Sequence, residues 1–206
     1  MTKSTHALSA KVVCEFCNLC NRAHELWINH LELFDNNPRD KELMESIARP
    51  EWVRLSIISH EYSLHQVVKL HDPAVMNGNI TLGIDYMLTY GGWSDSVRPR
   101  LKKLATELNR FADPLRRGIR NKILSHYDLA TILADAPLGG FAKGADKKYF
   151  EDLQDFVDIV HGEVIGGPLP FCNLVKNDIA YFLRTIKPLS IKKQSDGLTS
   201  PPTPCV

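Results

Sequence analysis

The sequence has no apolar run that approaches the roughly 18 residues needed to span a membrane. Its start, Met1–Ala10, is polar and lacks the apolar stretch of a secretory signal. We therefore expect a cytoplasmic protein without a membrane partner. The five cysteines are an odd number, and reduced thiols are favoured over disulfides in that compartment.

Two widespread motif classes are also missing. Neither glycine pair, Gly139-Gly140 or Gly166-Gly167, is followed by Lys-Ser/Thr or belongs to a dinucleotide fingerprint, so no phosphate loop is indicated. There is no Gly-x-Ser-x-Gly nucleophile elbow. These absences argue against P-loop, dinucleotide-dependent and serine-hydrolase chemistry, and no cofactor is expected.

The chain has 206 residues, of which 44% are hydrophobic, and a net charge of +1. This is enough apolar material for one globular core without a disulfide or metal staple. We predict a single helical domain over residues 1–187. Residues 188–206, with Ser-Asp-Gly and Pro-Pro, are typical of a disordered tail.

Helical periodicity runs through most of the sequence, and no internal repeat or convincing strand interrupts it. Proline, asparagine and glycine mark the ends of the helices and the loops. The predicted fold is therefore an all-α bundle of long antiparallel helices. The predicted helices cover Ala10–Asp35, Asp40–Ala48, Pro50–Leu70, Ile80–Tyr90, Ser94 or Asp95 to Arg110, Asp113–Leu133, Asp146–Val164 and Cys172–Ile186, with loops at His71–Asn79 and Pro137–Gly144.

The chain has a small net charge but contains two oppositely charged segments, one basic and one acidic. Nine cations against two acids give Arg98–Lys122 a charge of +7, and six acids against two lysines give Asp146–Glu163 a charge of −4. Either the basic segment contacts phosphates, or the acidic helix packs beside it and neutralises it. Asp113 is predicted to cap a new helix, which would place Arg116 and Arg117 against the helix dipole and favours a functional role.

An arginine and a histidine in the basic segment have the chemistry for metal-free RNA cleavage. On a helical wheel His126 lies on an apolar stripe and Arg120 at its edge. Imidazole can accept or donate the protons of the reaction near neutral pH, and guanidinium can stabilise charge on the phosphate. Two such pairs, brought together in a dimer, would supply base, acid and cation. The plainer interpretation is a core histidine and a surface arginine.

The spacing of the pair carries little information by itself. Arg54 and His60 are separated by the same number of residues, but their surroundings are not basic. Asn121 and Lys122 directly after Arg120, and the basic segment around them, distinguish the first pair.

The segment Arg120-Asn121-Lys122-Ile123-Leu124-Ser125-His126 resembles the motif of the HEPN superfamily, which is Arg, four to six residues, then His. In that superfamily a polar residue commonly follows the arginine, as Asn121 does here, and Tyr127-Asp128 is a familiar continuation. His71-Asp72-Pro73, followed by Asn79-Ile80-Thr81-Leu82, is similar to a loop of its bacterial abortive-infection, AbiU-like branch.

The resemblance implies a helical bundle that dimerises, with Arg120 and His126 of both subunits facing one cleft. Many members are metal-independent endoribonucleases that act as toxins or antiviral effectors, and others are inactive binding proteins. By resemblance Arg120 would contact phosphate, His126 would transfer protons and Asn121 would orient one of them. The neighbouring residues expected to bind substrate are Arg116, Arg117, Lys122 and Tyr127.

Two further clusters are given structural interpretations. Cys14, Cys17, Cys20 and His24 share one face of a straight helix, from which they cannot easily converge on a tetrahedral ion, so the cysteines are interpreted as small hydrophobic side chains and no metal is expected. The histidines at 60, 65 and 71 do not share a face, and we interpret them as ordinary.

The leading hypothesis is a dimeric HEPN-type endoribonuclease that acts on RNA. One alternative is a non-catalytic helical module that binds RNA, a nucleotide or a protein. Another is a structural protein neutralised by a cognate antitoxin or regulator, which would dock on the acidic segment Asp146–Glu163.

Overall fold

A computed structural model describes residues 8–36, 38–116 and 140–195. Within these ranges the chain forms six α-helices and one very short hairpin, which confirms the all-α helical bundle. No described helix combines the length and the apolarity needed to cross a membrane. The elements are α1 (Ala10–His30), extended by a π-helical turn (Leu31–Asp35), then α2 (Pro38–Lys69), β1 (Val75–Met76), β2 (Asn79–Ile80), α3 (Ile84–Tyr90), α4 (Arg98–Leu115), α5 (Ala145–Val164) and α6 (Leu174–Ser195).

The break predicted before Pro50 is present as a kink within α2. Ala48 leaves the helical region, with φ −158° and ψ 67°, two residues before the proline. Proline lacks an N–H and its ring clashes with the carbonyl four positions earlier, so the helical hydrogen bonds are interrupted here. The two predicted helices are therefore the two halves of α2.

The region after α2 contains strands that the sequence analysis did not predict. Val75 pairs with Ile80, and Met76 with Asn79, in an antiparallel hairpin. Its turn is Asn77-Gly78, where both residues have positive φ (51° and 78°), as a two-residue type I′ turn requires. The predicted helix start at Ile80 is wrong, because Ile80 belongs to β2 and α3 begins at Ile84.

The predicted helix cap at Asp113 is also wrong. Asp113 and Pro114 lie inside α4, which runs without a break from Arg98 to Leu115. Proline removes one helical hydrogen bond, and the amide of Arg116 bonds to the carbonyls of both Ala112 and Asp113. Arg116 is therefore not in the first turn of a new helix but at the C-terminal end of α4, where the helix dipole does not disfavour a cation.

The last two helices agree with the prediction except at their ends. α5 begins at Ala145, one position before the predicted Asp146, and ends at Val164 as predicted. α6 continues to Ser195, past the predicted end at Ile186. The proposed tail from residue 188 stays a prediction, and residues 196–206 lie outside the described residues.

The chain divides into two compact units. The first comprises Met1–His24 and Ser63–Phe171, and the second comprises Glu25–Tyr62 and Cys172–Val206. In the first unit α4 packs against α5 and α3. The ring of Phe16 on α1 meets Phe156 on α5 edge-on at 5.9 Å. A buried stripe on α4 completes this core: Leu101, Ala105, Leu108, Ala112 and Leu115.

The second unit contains an aromatic and histidine cluster. The ring centroid of Phe34 lies 4.5 Å from that of Trp52. Nε2 of the buried His30 lies 3.2 Å from Nδ1 of His60. The pKa of His30 is lowered to about 4, mainly by burial; the carboxylate of Asp35 opposes this shift, and nearby His60 adds to it. His30 is therefore neutral near neutral pH.

Candidate functional site at the end of helix α4

Three polar side chains on one face of α4 line a cavity in the first unit. Asn109, Asp113 and Arg116 are spaced by four and three residues, which puts them on one stripe of the helix. The cavity has a volume of about 320 Å³. Its other described lining residues come from the loop after α2 and from α3: His71, Pro73, Ile84, Asp85 and Leu88.

His71 connects this stripe to the core through two hydrogen bonds. Its Nδ1 lies 2.8 Å from Oδ1 of Asn109, and its Nε2 lies 2.8 Å from the hydroxyl of Tyr149. Because an amide oxygen only accepts, Nδ1 carries the proton and donates it to Asn109. Nε2 then accepts the hydrogen bond from the hydroxyl of Tyr149. The three groups form one directed chain from α5 to α4.

The chain of hydrogen bonds is neutral because it is buried. The pKa of His71 is lowered to about 4, mainly by burial and in smaller part by the positive charge of Arg116. The hydrogen bond to Asn109 and the charge of Asp113 oppose this shift. Burial also raises the pKa of the Tyr149 hydroxyl well above its ordinary value. Near neutral pH, His71 therefore keeps one proton, and that proton holds the amide oxygen of Asn109.

Asp85 fixes the loop that carries His71. Its Oδ2 accepts a hydrogen bond of 2.7 Å from the amide of Ala74, and the amide of Thr81 donates to the carbonyl of Ala74 at 3.0 Å. The hydroxyl of Thr81 donates to the carbonyl of Pro73. The two short segments that carry the AbiU-like loop resemblance, residues 71–73 and 79–82, are thus bonded to each other, and the first lines the cavity.

The described lining of the cavity contains more acidic than basic side chains. Arg116 lies 3.6 Å from Asp113, and its side chain is 34% exposed. With His71 neutral, the described lining carries the negative charges of Asp85 and Asp113 and the positive charge of Arg116. The net charge of this lining is therefore −1.

The structure describes one residue of the predicted site, Arg116, and brings it to this cavity. The other predicted site residues lie outside the described residues and remain predictions: Arg117, Arg120, Asn121, Lys122, His126 and Tyr127.

The sequence analysis placed His71 in the loop that resembles the AbiU-like branch but gave it no role in a site, and it missed Asn109. His71 was grouped with other histidines by helical spacing, although it follows the end of α2. Its contacts to residues 109 and 149 join parts of the chain that no local spacing relates. The available signal was the polar stripe of Asn109, Asp113 and Arg116 on an otherwise apolar and basic helix.

The basic α4 and the acidic α5 pack beside each other, and no ion pair between described residues joins them. Between described residues, the ion pairs of these helices lie within one helix, such as Arg110 with Glu107 at 2.9 Å and Lys148 with Asp152. None joins α4 to α5 across the groove of about 910 Å³ between them. Positive charge on α4 therefore stays available to a ligand.

Two of the three cysteines of α1 behave as small hydrophobic side chains, whereas Cys14 is exposed. Cys17 and Cys20 are fully buried, and burial raises the pKa of Cys17 to about 11 and that of Cys20 well above its ordinary value. A protonated thiol is a poor metal ligand. In the part of the chain that the structure describes, no group of His, Cys, Asp and Glu side chains is arranged to hold a metal ion.

The fold and the cavity define a helical domain with a polar site at the end of a basic helix. The HEPN family model described as AbiU2 matches residues 7–184 of the chain. The protein therefore belongs to the AbiU2 family of HEPN proteins. No curated protein and no solved structure matches it.

Proposed function

We propose that the protein is a metal-independent endoribonuclease of HEPN type, with a cleft shared by Arg120 and His126 of two subunits. The observation that carries this proposal is the family match over residues 7–184, which includes the intact Arg120-Asn121-Lys122-Ile123-Leu124-Ser125-His126 segment. The proposed cellular role is that of a toxin or phage-defence effector, with a cognate antitoxin or regulator as partner.

The proposed reaction needs only side chains. His126 of one subunit takes the proton from a ribose 2′-hydroxyl, and that oxygen attacks the adjacent phosphorus. The bond from phosphorus to the 5′-oxygen breaks, and that oxygen receives a proton from the partner's His126. Arg120 stabilises the charge on the phosphate oxygens through paired N–H groups, and Asn121 orients one of these side chains.

The charge on α4 supports an RNA substrate. Arg100, Lys102 and Lys103 are exposed and form no ion pair with any described residue. Unpaired cations on one helix suit contacts to phosphates, which supply most of the sequence-independent affinity for nucleic acids. This helix leads directly to Arg116 and then, along the chain, to the Arg120 segment.

An exposed apolar surface supports the dimer. Five large side chains between Val53 and Tyr62 of α2 are each at least 43% exposed. By helical spacing Val53 and Ile57 share one face of α2, and Leu55, Ile58 and Tyr62 share another. Exposed apolar faces of this kind mark interaction sites on soluble proteins. These residues are Val53, Leu55, Ile57, Ile58 and Tyr62.

The test is cleavage of a mixed RNA pool in EDTA by the full-length protein. We expect cleavage by the wild type and none by Arg120→Ala or His126→Ala. Arg54→Ala, which changes the arginine of the second pair with the same spacing, should cleave like the wild type. Intact RNA with the wild-type protein, or equal cleavage by all variants, would contradict the enzyme. Salt-sensitive binding without cleavage would favour the alternative, a non-catalytic RNA-binding module.

A further inference from the structure

We infer that the cavity at the end of α4 binds one base of the RNA strand, a guanine, close to the cleaved phosphate. This inference rests on the proposed function for its substrate, but its evidence is the lining of the cavity. The lining determines the charge, the shape and the hydrogen-bonding pattern of the group that fits.

The cavity is near the proposed catalytic residues in the chain. Arg116 lies on its wall, and Arg120 follows four residues later. Even a fully extended chain spans only about 14 Å over four residues. A short RNA segment that places a phosphate at Arg120 can therefore place a neighbouring base at the cavity.

The charge of the lining selects a base over a phosphate. Among the described lining residues Asp85 and Asp113 outnumber Arg116, which favours an uncharged group over a phosphate. A nucleobase is uncharged and presents N–H groups that carboxylates accept. A metal ion is not the better occupant, because no described group of side chains is arranged to hold one.

The apolar part of the cavity lining suits the faces of a nucleobase. Pro73, Ile84 and Leu88 supply apolar surface for the faces of a base. RNA-binding proteins read single-stranded bases in this way, with contacts to the ring faces and hydrogen bonds to the Watson–Crick edge. The volume of about 320 Å³ falls in the range of small-ligand sites.

The hydrogen-bonding groups select guanine. His71 occupies the amide oxygen of Asn109, which leaves the NH₂ of that amide as a donor at the cavity. Asp85 uses Oδ2 for the amide of Ala74, and its Oδ1 accepts from no described residue. Guanine alone among the four bases presents one acceptor, O6, beside two donors, N1–H and the N2 amine. Asn109 matches the acceptor and Asp85 matches the donors.

The experiment measures binding of the four nucleoside 5′-monophosphates to the full-length protein by ligand-observed NMR. We expect GMP to bind about tenfold more tightly than AMP, CMP or UMP, since a good paired contact to a base discriminates by that order. Asp85→Asn should remove the preference while keeping an oxygen for the amide of Ala74. Asp95→Asn, an exposed acid outside the cavity, should retain it.

A second variant distinguishes a loss of GMP binding from a folding defect. Asn109→Asp keeps an acceptor for His71 but removes the donor to O6, so it should weaken GMP about tenfold with an unchanged circular dichroism spectrum. Equal binding of the four nucleotides by the wild type, or an unchanged GMP preference in both variants, would overturn the inference.

The inference and the proposed function fail differently. RNA cleavage that depends on Arg120 and His126 but shows no base preference, together with no GMP selectivity, would overturn the guanine site alone. GMP selectivity that depends on Asp85, in a protein that leaves RNA intact, would overturn the nuclease and retain the base site.

Discussion

The hydroxyl of Tyr149 on α5 lies 2.8 Å from Nε2 of His71, and both side chains are buried. The other ring nitrogen of His71 bonds to Asn109 on α4. One imidazole thus connects the loop after α2 with two packed helices. Removing either partner would leave a buried polar atom without a hydrogen bond.

Tyr149→Phe should therefore destabilise the fold. The substitution keeps the aromatic ring but leaves Nε2 of His71 unsatisfied, which costs about 1–3 kcal/mol. Urea unfolding measures the change in the free energy of unfolding. Tyr181→Phe removes the same hydroxyl from a side chain that is 69% exposed, and it should have almost no effect. Equal stabilities of the two variants would show that the hydrogen bond between Tyr149 and His71 does not stabilise the fold.

His71 should make the fold sensitive to acid. Its pKa is about 4 in the folded chain and 6.5 ordinarily, so the unfolded chain takes up the proton first as the pH falls. The stability from neutral His71 is complete above pH 6.5 and is lost as the pH falls through about 4. The loss is on the order of 3 kcal/mol, because each pKa unit corresponds to about 1.4 kcal/mol.

Urea unfolding between about pH 7 and pH 4 tests the direction of this pH dependence of stability and the pH range over which it occurs. His71→Asn should show a shallower loss of stability over the interval than the wild type. Some loss should remain, because burial also lowers the pKa of His30 to about 4. Identical slopes for the wild type and the variant would contradict the role given to His71.

Gly91 and Gly92 offer a matched pair of substitutions. A Cβ at Gly91 would overlap the indole of Trp93 and lie 2.5 Å from the carbonyl oxygen of Met87. That carbonyl accepts a 2.7 Å hydrogen bond from the same indole. Gly91→Ala should therefore cost about 1–3 kcal/mol through overpacking. Gly92→Ala meets nothing within 4 Å and should be nearly neutral in thermal unfolding. An unchanged stability of Gly91→Ala would mean that the side chain of Trp93 can move without a cost in stability.

Sequence patterns predicted the fold where hydrophobic periodicity was long. The extents of α1 and α5 followed from it, and the break near Pro50 followed from the proline. Sequence patterns failed where short turn or cap motifs indicated a different structure from the one observed. Asn77-Gly78 made a hairpin instead of a plain loop, and Asp113-Pro114 was accommodated inside α4 although it is a common helix start.

The candidate site was predictable only in part. Arg116 was selected from charge, and the structure places it on the cavity. The hydrogen bonds of His71 span 38 and 78 positions of the chain, so only the packing of α4 and α5 brings the partners together. Local spacing carries no information about such contacts.

Arg100 and Lys103 should contribute to RNA affinity without contributing to the chemistry. Both line the α4 side of the groove and form no described ion pair. Their joint replacement by alanine should weaken binding at low salt and reduce the slope of log affinity against log salt by about 1.4, since each lost phosphate contact removes about 0.7 for a single strand. Lys11→Ala, an exposed lysine on α1, is the control. An unchanged slope would place the phosphate contacts elsewhere.

Ile57 and Ile58 test the proposed shared cleft. Both are exposed on α2, at 46% and 60%, so a charge there is not expected to disturb the core. If this surface is the dimer interface, Ile57→Asp/Ile58→Asp should give a monomer in light scattering at micromolar concentration. The double variant should also lose RNA cleavage, because each catalytic pair would lack its partner. Leu19→Asp, which changes a 39% exposed leucine on α1, should stay dimeric and active. A dimeric double variant would exclude this surface, and an active monomer would contradict the shared mechanism.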